Sequence, residues 1–169
     1  MEKYKVLVTA GDTYESIDEV RRITHMATGR LGSILADEFA AHGGEVTFIC
    51  GERSVQPQRT MQSIHTITGV HDLEKTLITQ LNTTRFDCVV HSMAVSDYTV
   101  SAVGSKEMMV KDLTEAILKL PKPLQKDELV HCIEGVIGQQ RLEDRKISSD
   151  LPELTVMMDR APKVISRVK

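Results

Sequence analysis

The sequence predicts an α/β fold of the three-layer, Rossmann-like, doubly wound type, in which helices cover both faces of a mostly parallel sheet. The first observation is a short apolar, β-branched run at residues 5–10 that ends at Gly11, as a buried parallel strand ends before its loop. The second is an amphipathic helix after residue 28 that stops at Gly43 and carries these apolar residues at helical spacing: Leu31, Ile34, Leu35, Ala36, Phe39 and Ala40. The third is another apolar run at residues 46–50, which completes a right-handed strand–helix–strand unit.

The rest of the chain repeats this alternation with one interruption. Three segments are predicted as strand, helix and strand: residues 63–67, 71–81 and 86–94. Between 99 and 145 the periodicity weakens at Pro121 and Pro123, and a short helix is indicated by Leu113, Ile117, Leu118 and Leu120. A strand at 153–158 and a final helix opened by Pro162 follow. We therefore expect one domain over residues 1–169, with an insertion at about 99–145.

Composition limits the classes of function. The 169 residues are 41% hydrophobic and 27% charged, which is typical of a soluble globular protein. The formal net charge is −3 and no long run of Lys or Arg occurs, so the sequence offers no electrostatic footprint for a nucleic acid. Neither a signal peptide nor an apolar stretch of about 20 residues, as a membrane span needs, is present. We expect a cytoplasmic protein that binds neither nucleic acid nor membrane.

The cysteines and histidines show no metal-binding pattern. Cys50, Cys88 and Cys132 lie in largely apolar stretches without CxxC spacing, which indicates reduced thiols in the core. The six histidines lack the spacing of a zinc site. No structural metal is predicted.

Ligands of open parallel sheets bind outside the carboxyl ends of the strands, which here are the loops at residues 10–29 and 94–98. The first loop is polar and too long for an ordinary turn between strand and helix. At its end, Gly29 and Gly32 open a helix whose backbone amides favour an anion such as phosphate. The alternative is that both glycines allow the helix to pack closely on the sheet. The spacing is not a GxGxxG motif, so this pattern does not decide between the two.

Three side chains near the predicted loops are candidates for binding or catalysis. Asp97 follows a buried strand, where its carboxylate either accepts hydrogen bonds from a ligand or caps a turn. Lys146 precedes the strand at 153–158 and either neutralises phosphates or is solvated. His25 is a candidate acid or base, as histidines often are, but its spacing alone does not distinguish such a role from that of a surface histidine.

Several segments together resemble phosphopantothenoylcysteine synthetases, which are also called phosphopantothenate–cysteine ligases. The matching segments are VTAG at 8–11, IDEVR at 17–21, ITHMATG at 23–29, HSMAVSDY at 91–98, KISS at 146–149 and PKVI at 162–165. They occur in the family's order and cover residues 6–168. The long insertion before Lys146 is most similar to the standalone ligases of streptococcal type. Members of the family usually continue beyond Lys169, so this chain is expected to be a C-terminally truncated form.

The resemblance implies a ligase of coenzyme A biosynthesis that joins 4′-phosphopantothenate to cysteine through an acyl-cytidylate. CTP is the expected co-substrate, with ATP as the alternative, and Mg²⁺ accompanies the triphosphate. The resemblance also implies a homodimer in which a loop of one subunit completes the site of the other.

The resemblance carries over to particular residues. Ala94, Val95 and Asp97 correspond to residues beside the base and ribose, and Lys146 to the triphosphate-binding lysine. Gly11 opens the nucleotide loop, while Gly29 and Arg30 face phosphate. His25 stands where the family usually has an asparagine that holds the activated carbonyl, so His25 and Lys146 are the catalytic candidates. Asp12 stands where a second glycine is common, and Arg30 where a lysine is frequent.

Two other functions are compatible with the same residues. A non-catalytic nucleotide-binding pseudoenzyme would keep the fold and bind CTP without turnover. An NAD(P)-dependent oxidoreductase would share the first strand–helix–strand unit. Against the oxidoreductase, the second strand is followed by Glu52 as its sole candidate acid, and no Tyr-x-x-x-Lys pair follows Tyr98.

Overall fold

The computed structural model describes residues 3–138 and 147–168, and its contacts group the chain into two compact units. The first unit comprises Met1–Glu15, Ile23–Thr99 and Arg160–Lys169, and the second comprises Ser16–Arg22 and Val100–Asp159. The described part of the expected insertion, residues 100–138, falls in the second unit. The single domain over the whole chain stays a prediction.

The described residues form eight β-strands, four α-helices and a short 3₁₀ helix. In chain order these are β1 (Lys5–Asp12), β2 (Tyr14–Ser16), β3 (Arg22–Thr24), α1 (Arg30–Ala41), β4 (Glu45–Gly51), β5 (Ser63–Ile67), α2 (Val70–Thr83), β6 (Cys88–Ala94), β7 (Tyr98–Ser105), α3 (Lys106–Leu118), α4 (Lys126–Gly138), β8 (Leu154–Arg160) and the 3₁₀ helix (Val164–Arg167).

A four-stranded parallel sheet forms the centre of the first unit, in the order β5-β4-β1-β6. The register pairs Val8 of β1 with Phe48 of β4 and with Val90 of β6. Phe48 in turn pairs with Ile64 of β5. The chain passes outward from β1 to β5 and then returns to the other side of β1, so the sheet has its switch point between β1 and β6. The predicted parallel sheet is confirmed.

Alternate residues of β1 contribute to two separate hydrophobic clusters. Val6 and Val8 belong to the cluster that includes Ala36 of α1. Leu7 belongs to the cluster that contains residues of α2 and the 3₁₀ helix, namely Val70, Leu73, Leu77 and Val164. Residues 6–8 are fully buried, which is why the strand reads as a continuous apolar run. Helices therefore cover both faces of the sheet, as predicted.

Two regions differ from the sequence-based expectation. The helix expected from Pro162 to Val168 is one 3₁₀ turn, because Ser166 donates to the Lys163 carbonyl through both its amide, at 3.1 Å, and its hydroxyl, at 2.7 Å. The stretch after β1, which the sequence predicts as one long polar loop, contains the two-stranded pair β2-β3.

Residues 100–138 of the second unit contain more regular structure than the one short helix that was predicted for the insertion, and the strand expected at 153–158 is found as β8. β7 and β8 pair as a separate two-stranded sheet, and α3 packs against α4. The Ser105 hydroxyl caps α3 by accepting a hydrogen bond from the Met108 amide at 3.1 Å. No residue of α3 or α4 is buried, which explains the weak apolar periodicity of this stretch.

Candidate functional site

The two loops that were predicted to form a site are joined at the switch point of the sheet. The Thr13 amide, after β1, donates to the Ala94 carbonyl at the end of β6 at 3.0 Å. The Thr13 and Ser96 hydroxyls share a hydrogen bond at 2.9 Å, and the Ser96 amide donates to Thr13 Oγ1 at 2.8 Å. Thr13 is 0% exposed and Ser96 8%. These buried contacts hold the ends of the two loops together.

Gly11 and Gly29 lie against each other although they are far apart in the sequence. Both have positive φ, +86° and +74°. A Cβ atom on Gly29 would lie 2.9 Å from the Gly11 nitrogen and 3.0 Å from its Cα, and one on Gly11 would collide with the Ser54 hydroxyl. Ser54 itself donates to the Ala10 carbonyl at 3.3 Å. The two glycines are therefore required for the close approach of three backbone segments.

Gly32 supports the packing interpretation that was left open for the helix glycines. A Cβ atom there would lie 2.5 Å from Ala10 Cβ and 3.2 Å from the Thr9 carbonyl oxygen. Gly32 is buried within α1. Its small size lets α1 pack directly on β1, and this role does not require a ligand.

The first turn of α1 offers backbone donors to an anion. Its N-cap, Gly29, has no side chain to accept from the following amides, and the first turn carries no acidic residue. The Arg30 amide makes one long hydrogen bond, 3.4 Å, to Thr28 Oγ1, while the Arg30 side chain is exposed. The positive end of the helix dipole thus lies beside an exposed guanidinium, an arrangement that favours phosphate.

Asp97 lines a cavity of about 210 Å³ in the first unit. The other lining residues are Tyr98, Arg160, Ala161, Pro162 and Lys163. The Ala161 amide donates to the Asp97 backbone carbonyl at 2.9 Å, and Asp97 itself is exposed. The cavity thus combines an acceptor, a phenol and two cationic side chains. Sequence reasoning identified Asp97 but missed Arg160 and Lys163. Both follow the strand predicted at 153–158, and their position near a strand end could have indicated them.

Ala94 and Val95 have structural contacts as well as their predicted place beside the nucleotide. The Ala94 carbonyl accepts the Thr13 bond, and Val95 packs against the hydrophobic cluster that includes Leu7. Three residues before Ala94 in β6, His91 pairs in register with Thr9 of β1, and its Nδ1 shares a hydrogen bond with Thr9 Oγ1 at 2.8 Å. Burial lowers the pKa of His91 below its usual 6.5.

His25 lies in the segment between β3 and α1 with an exposed side chain. The neighbouring Thr24 hydroxyl donates to Asp12 Oδ2 at 2.7 Å and lies 3.3 Å from the carbonyl oxygens of Thr13 and His25. Asp12, at the end of β1, therefore stabilises the conformation of the loop. His25 itself is left available to a substrate, and its catalytic role stays a prediction.

Lys146 lies outside the described residues, but its neighbour Ile147 is well defined by contacts in the second unit. The Ile147 amide donates to Asp18 Oδ2 at 3.2 Å, and Arg21 Nη1 donates to the Ile147 carbonyl at 3.2 Å. Asp18 and Arg21 fall in the IDEVR segment, yet sequence reasoning gave neither of them a role. A contact between positions so far apart in the chain has no local sequence signal.

Two general properties of the described residues bear on the predicted classes. No helix in residues 3–138 or 147–168 is long and apolar enough to cross a membrane. Across the same residues, no group of three or more His, Cys, Asp or Glu side chains is arranged to hold a metal ion.

Family comparison supplies a match that covers most of the chain. The profile of the family described as DNA/pantothenate metabolism flavoprotein C-terminal domain matches residues 1–131. The chain belongs to this family. The resemblance to phosphopantothenoylcysteine synthetases is thereby confirmed, and it rests on more than the short segments from which it was first inferred.

The curated relatives in this flavoprotein family are longer proteins. The coenzyme A biosynthesis bifunctional protein CoaBC of Thermococcus kodakarensis is 34% identical over 137 residues, which are 80% of this chain and 33% of that protein. CoaBC of Haemophilus influenzae is 31% identical over 117 residues, which are 69% of this chain and 28% of that protein. The chain therefore spans about a third of the length of these relatives.

Solved structures share the fold. The DNA/pantothenate metabolism flavoprotein of Streptococcus pneumoniae superimposes with a TM-score of 0.72 at 31% identity, covering 98% of this chain and 63% of that one. A Cab2 variant in complex with phosphopantothenate-cysteine superimposes with a TM-score of 0.60 at 19% identity, covering 98% and 59%. The first likeness agrees with the family assignment, and the second concerns the fold alone.

Proposed function

We propose that this chain carries the phosphopantothenate–cysteine ligase activity of coenzyme A biosynthesis. The observation that carries the proposal is the junction of two family segments, the loop after β1 and the loop after β6, through Thr13 and Ser96. This junction lies at the switch point of the sheet, where α/β folds bind their ligands. The family match and the names of the CoaBC relatives support the same pathway.

The reaction would proceed in two steps. A carboxylate oxygen of 4′-phosphopantothenate forms a bond to the α-phosphorus of CTP, and the bond from that phosphorus to the bridging oxygen breaks to release pyrophosphate. The cysteine amine then bonds to the acyl carbon, the acyl–oxygen bond breaks to release CMP, and the amine proton passes to solvent. Both steps depend on positioning and on neutralising phosphate charge rather than on a protein nucleophile.

The described residues suggest how the first unit would hold the nucleotide. The cavity at Asp97 would accept base and ribose, with the carboxylate accepting from their amino or hydroxyl groups, and Ala94 and Val95 would lie beside them by correspondence with the family. Gly11, Gly29 and Arg30 would face a phosphate at the start of α1. His25 would donate to the acyl carbonyl, and Lys146 would bind the triphosphate by correspondence with the family.

Mg²⁺ would enter as part of the nucleotide substrate. Phosphate oxygens and water are the ligands that Mg²⁺ prefers, and such an ion needs few protein carboxylates. The ion would offset charge on the triphosphate during attack.

A homodimer is part of the same proposal. Several apolar side chains of the first loop and of α1 are exposed in the single chain: Ile23, Met26 (101%), Leu31 (65%) and Ile34 (48%). Exposed apolar groups of this kind are typical of surfaces that contact another protein. Analytical ultracentrifugation should give twice the chain mass for the wild type and a shift toward monomer for Leu31→Asp. A monomeric wild type would contradict this part of the proposal.

Pyrophosphate release tests the activity. Purified protein would be supplied with 4′-phosphopantothenate, Mg²⁺ and either CTP or ATP, with and without cysteine. Lys146→Ala should lower kcat/KM for the nucleotide by about tenfold or more, because it removes a cation from the triphosphate, a change of at least ~1.4 kcal/mol. Lys75→Ala, at an exposed position on α2, is the matched control and should behave as wild type.

The outcomes separate the candidate functions. Release that is lost in Lys146→Ala and retained in Lys75→Ala supports the ligase. Saturable CTP binding without release would replace it with a nucleotide-binding pseudoenzyme. Absence of both binding and release would refute a nucleotide site at the junction of the two loops.

A further inference from the structure

The short segment between β3 and α1 is attached to the first unit at both of its ends. At the β3 end, the Thr24 hydroxyl donates to Asp12 Oδ2 at 2.7 Å. At the α1 end, the Thr28 carbonyl accepts from the Val55 amide at 2.9 Å, and Gly29 packs against the end of β1. Only three residues lie between these attachments, so their backbone has little freedom to move.

We call these three residues, 25–27, the His25 segment. His25 is the residue to which the proposed function assigns the acyl carbonyl. Its side chain is exposed, so the position of the imidazole depends on the backbone that carries it. That backbone begins directly after Thr24, and the hydrogen bond from Thr24 to Asp12 therefore bears on where His25 lies.

Asp12 is a rigid point of attachment. It is the last residue of β1 and pairs in register with Ala94 of β6, and a Cβ atom on Gly51 would collide with its carbonyl oxygen. The Thr24 hydroxyl has a single proton and lies 2.7 Å from Asp12 Oδ2, against 3.3 Å from two backbone carbonyl oxygens, so it donates to the carboxylate. Hydrogen bonds to carboxylates are stronger than those between neutral groups.

A carboxylate at this strand end has no evident use in binding the substrates of the proposed function. Its negative charge repels the phosphates that would lie at the same end of the sheet. The bond to Thr24 accounts for it instead. We propose that Asp12, through Thr24, is a positioning residue that sets the location of His25 relative to the acyl carbonyl. The inference rests on the proposed ligase function and names a residue on which its chemical steps depend.

Thr24→Val removes the hydrogen bond with little change in side-chain shape. Thr24 is exposed and lies in a strand, where valine is favoured, so the variant should fold. At saturating CTP, 4′-phosphopantothenate and cysteine with Mg²⁺, kcat for pyrophosphate release should fall by about tenfold, since a displacement of about an ångström can cost up to ~100-fold. KM for CTP should stay within about twofold, because the lost contact acts on the reacting carbonyl and not on the nucleotide.

Two substitutions control for changes other than the lost bond. Thr24→Ser keeps the hydroxyl, and its kcat should lie within about twofold of wild type. Thr66→Val removes a hydroxyl from another exposed strand position of the first unit and should follow wild type. A Thr24→Ser variant that loses as much activity as Thr24→Val would overturn the inference, because the hydrogen bond would then not be the cause.

Double-mutant cycles separate positioning from general destabilisation. Asp12→Ala removes the same bond from its other side, so it should lower kcat as Thr24→Val does, and the double variant should lower it no further. In a His25→Ala background, Thr24→Val should have little additional effect on kcat. An equal fall in the wild type and in His25→Ala would overturn the inference. If Thr24→Val does not fold, as judged by circular dichroism, Asp12→Ala takes its place in the same cycle.

The same data distinguish this inference from the proposed function. Wild-type protein that releases no pyrophosphate refutes both. A wild type that releases pyrophosphate, together with a Thr24→Val variant that follows it, refutes the positioning role alone. The same holds if His25→Ala follows wild type, because Asp12 would then have no catalytic group to position.

Discussion

The close contact between Gly29 and Gly11 can be tested by comparing the stability lost when alanine replaces Gly29 with the stability lost when it replaces Gly43, a second glycine of the first unit with a similar backbone conformation. Gly29 has φ +74° and Gly43 has φ +84°. A methyl group at Gly43 meets nothing within 4 Å, whereas one at Gly29 lies 2.9 Å from a backbone nitrogen. Replacing each by alanine therefore adds the same conformational strain, and at Gly29 alone it adds a collision.

The two terms have different sizes. Placing alanine in the left-handed region costs about 1–2 kcal/mol, and the reduced entropy of the unfolded chain offsets about 0.4–1 kcal/mol in both variants. The collision at Gly29 adds about 1–3 kcal/mol, since Gly11 and Ser54 are held by the sheet and cannot move freely. Gly29→Ala should thus be less stable than Gly43→Ala by about 1–3 kcal/mol.

Urea denaturation followed by circular dichroism measures this difference. With an m value of about 2 kcal/mol/M, the midpoint of Gly29→Ala should lie about 0.5–1.5 M below that of Gly43→Ala. Equal midpoints would refute the close approach of Gly11 and Gly29 and with it the geometry assigned to the start of α1. Unequal m values would instead point to a change in the unfolded state.

Three further predictions concern the site. Thr13→Val should lower the free energy of unfolding by about 1–3 kcal/mol because the buried Ser96 amide loses its acceptor, whereas Thr79→Val, at an exposed hydroxyl on α2, should change it by less than about 0.5 kcal/mol; equal losses would contradict the junction. Asp97→Asn should weaken CTP binding by about fivefold or more in calorimetric titration without shifting the urea midpoint, because its carboxylate is exposed; unchanged affinity would remove Asp97 from the site. Burial lowers the pKa of His91 in the folded protein, so the unfolded chain takes up a proton before the folded protein does as the pH falls through about 6.5. The free energy of unfolding of the wild type should therefore fall relative to that of His91→Gln over this range, and parallel profiles of unfolding free energy against pH would contradict this.

The central sheet was predictable because its buried strands appear in the sequence as apolar runs. Val6, Leu7 and Val8 are fully buried from both faces, so their apolar run identifies a parallel strand without further information. The helices α3 and α4 contain no buried residue, and their apolar pattern is correspondingly weak. Periodicity reports burial rather than helicity, which is why one short helix was expected where two are found.

The site was predictable to the extent that it follows from topology. Asp97 and Gly29 were identified because strand ends and helix starts can be located in a sequence. The partners that fix these loops were not, since the Thr13–Ser96 and Asp18–Ile147 contacts join positions 83 and 129 residues apart. Hydroxyls and carboxylates of this kind have no spacing rule, and a structure is needed to pair them.

The contact between Gly11 and Gly29 also explains how this chain differs from dinucleotide-binding folds that begin with the same strand and helix. In those folds the glycines follow one another within a short turn, which brings the helix start directly to the strand end. Here residues 12–28 lie between two glycines that still contact each other, so both ends of the loop meet at the same place. The strand and the helix keep their close packing. The inserted residues include Thr13, Asp18, Arg21 and His25. A common strand–helix unit can therefore accommodate a long loop with additional polar side chains, because the two glycines hold the ends of that loop together.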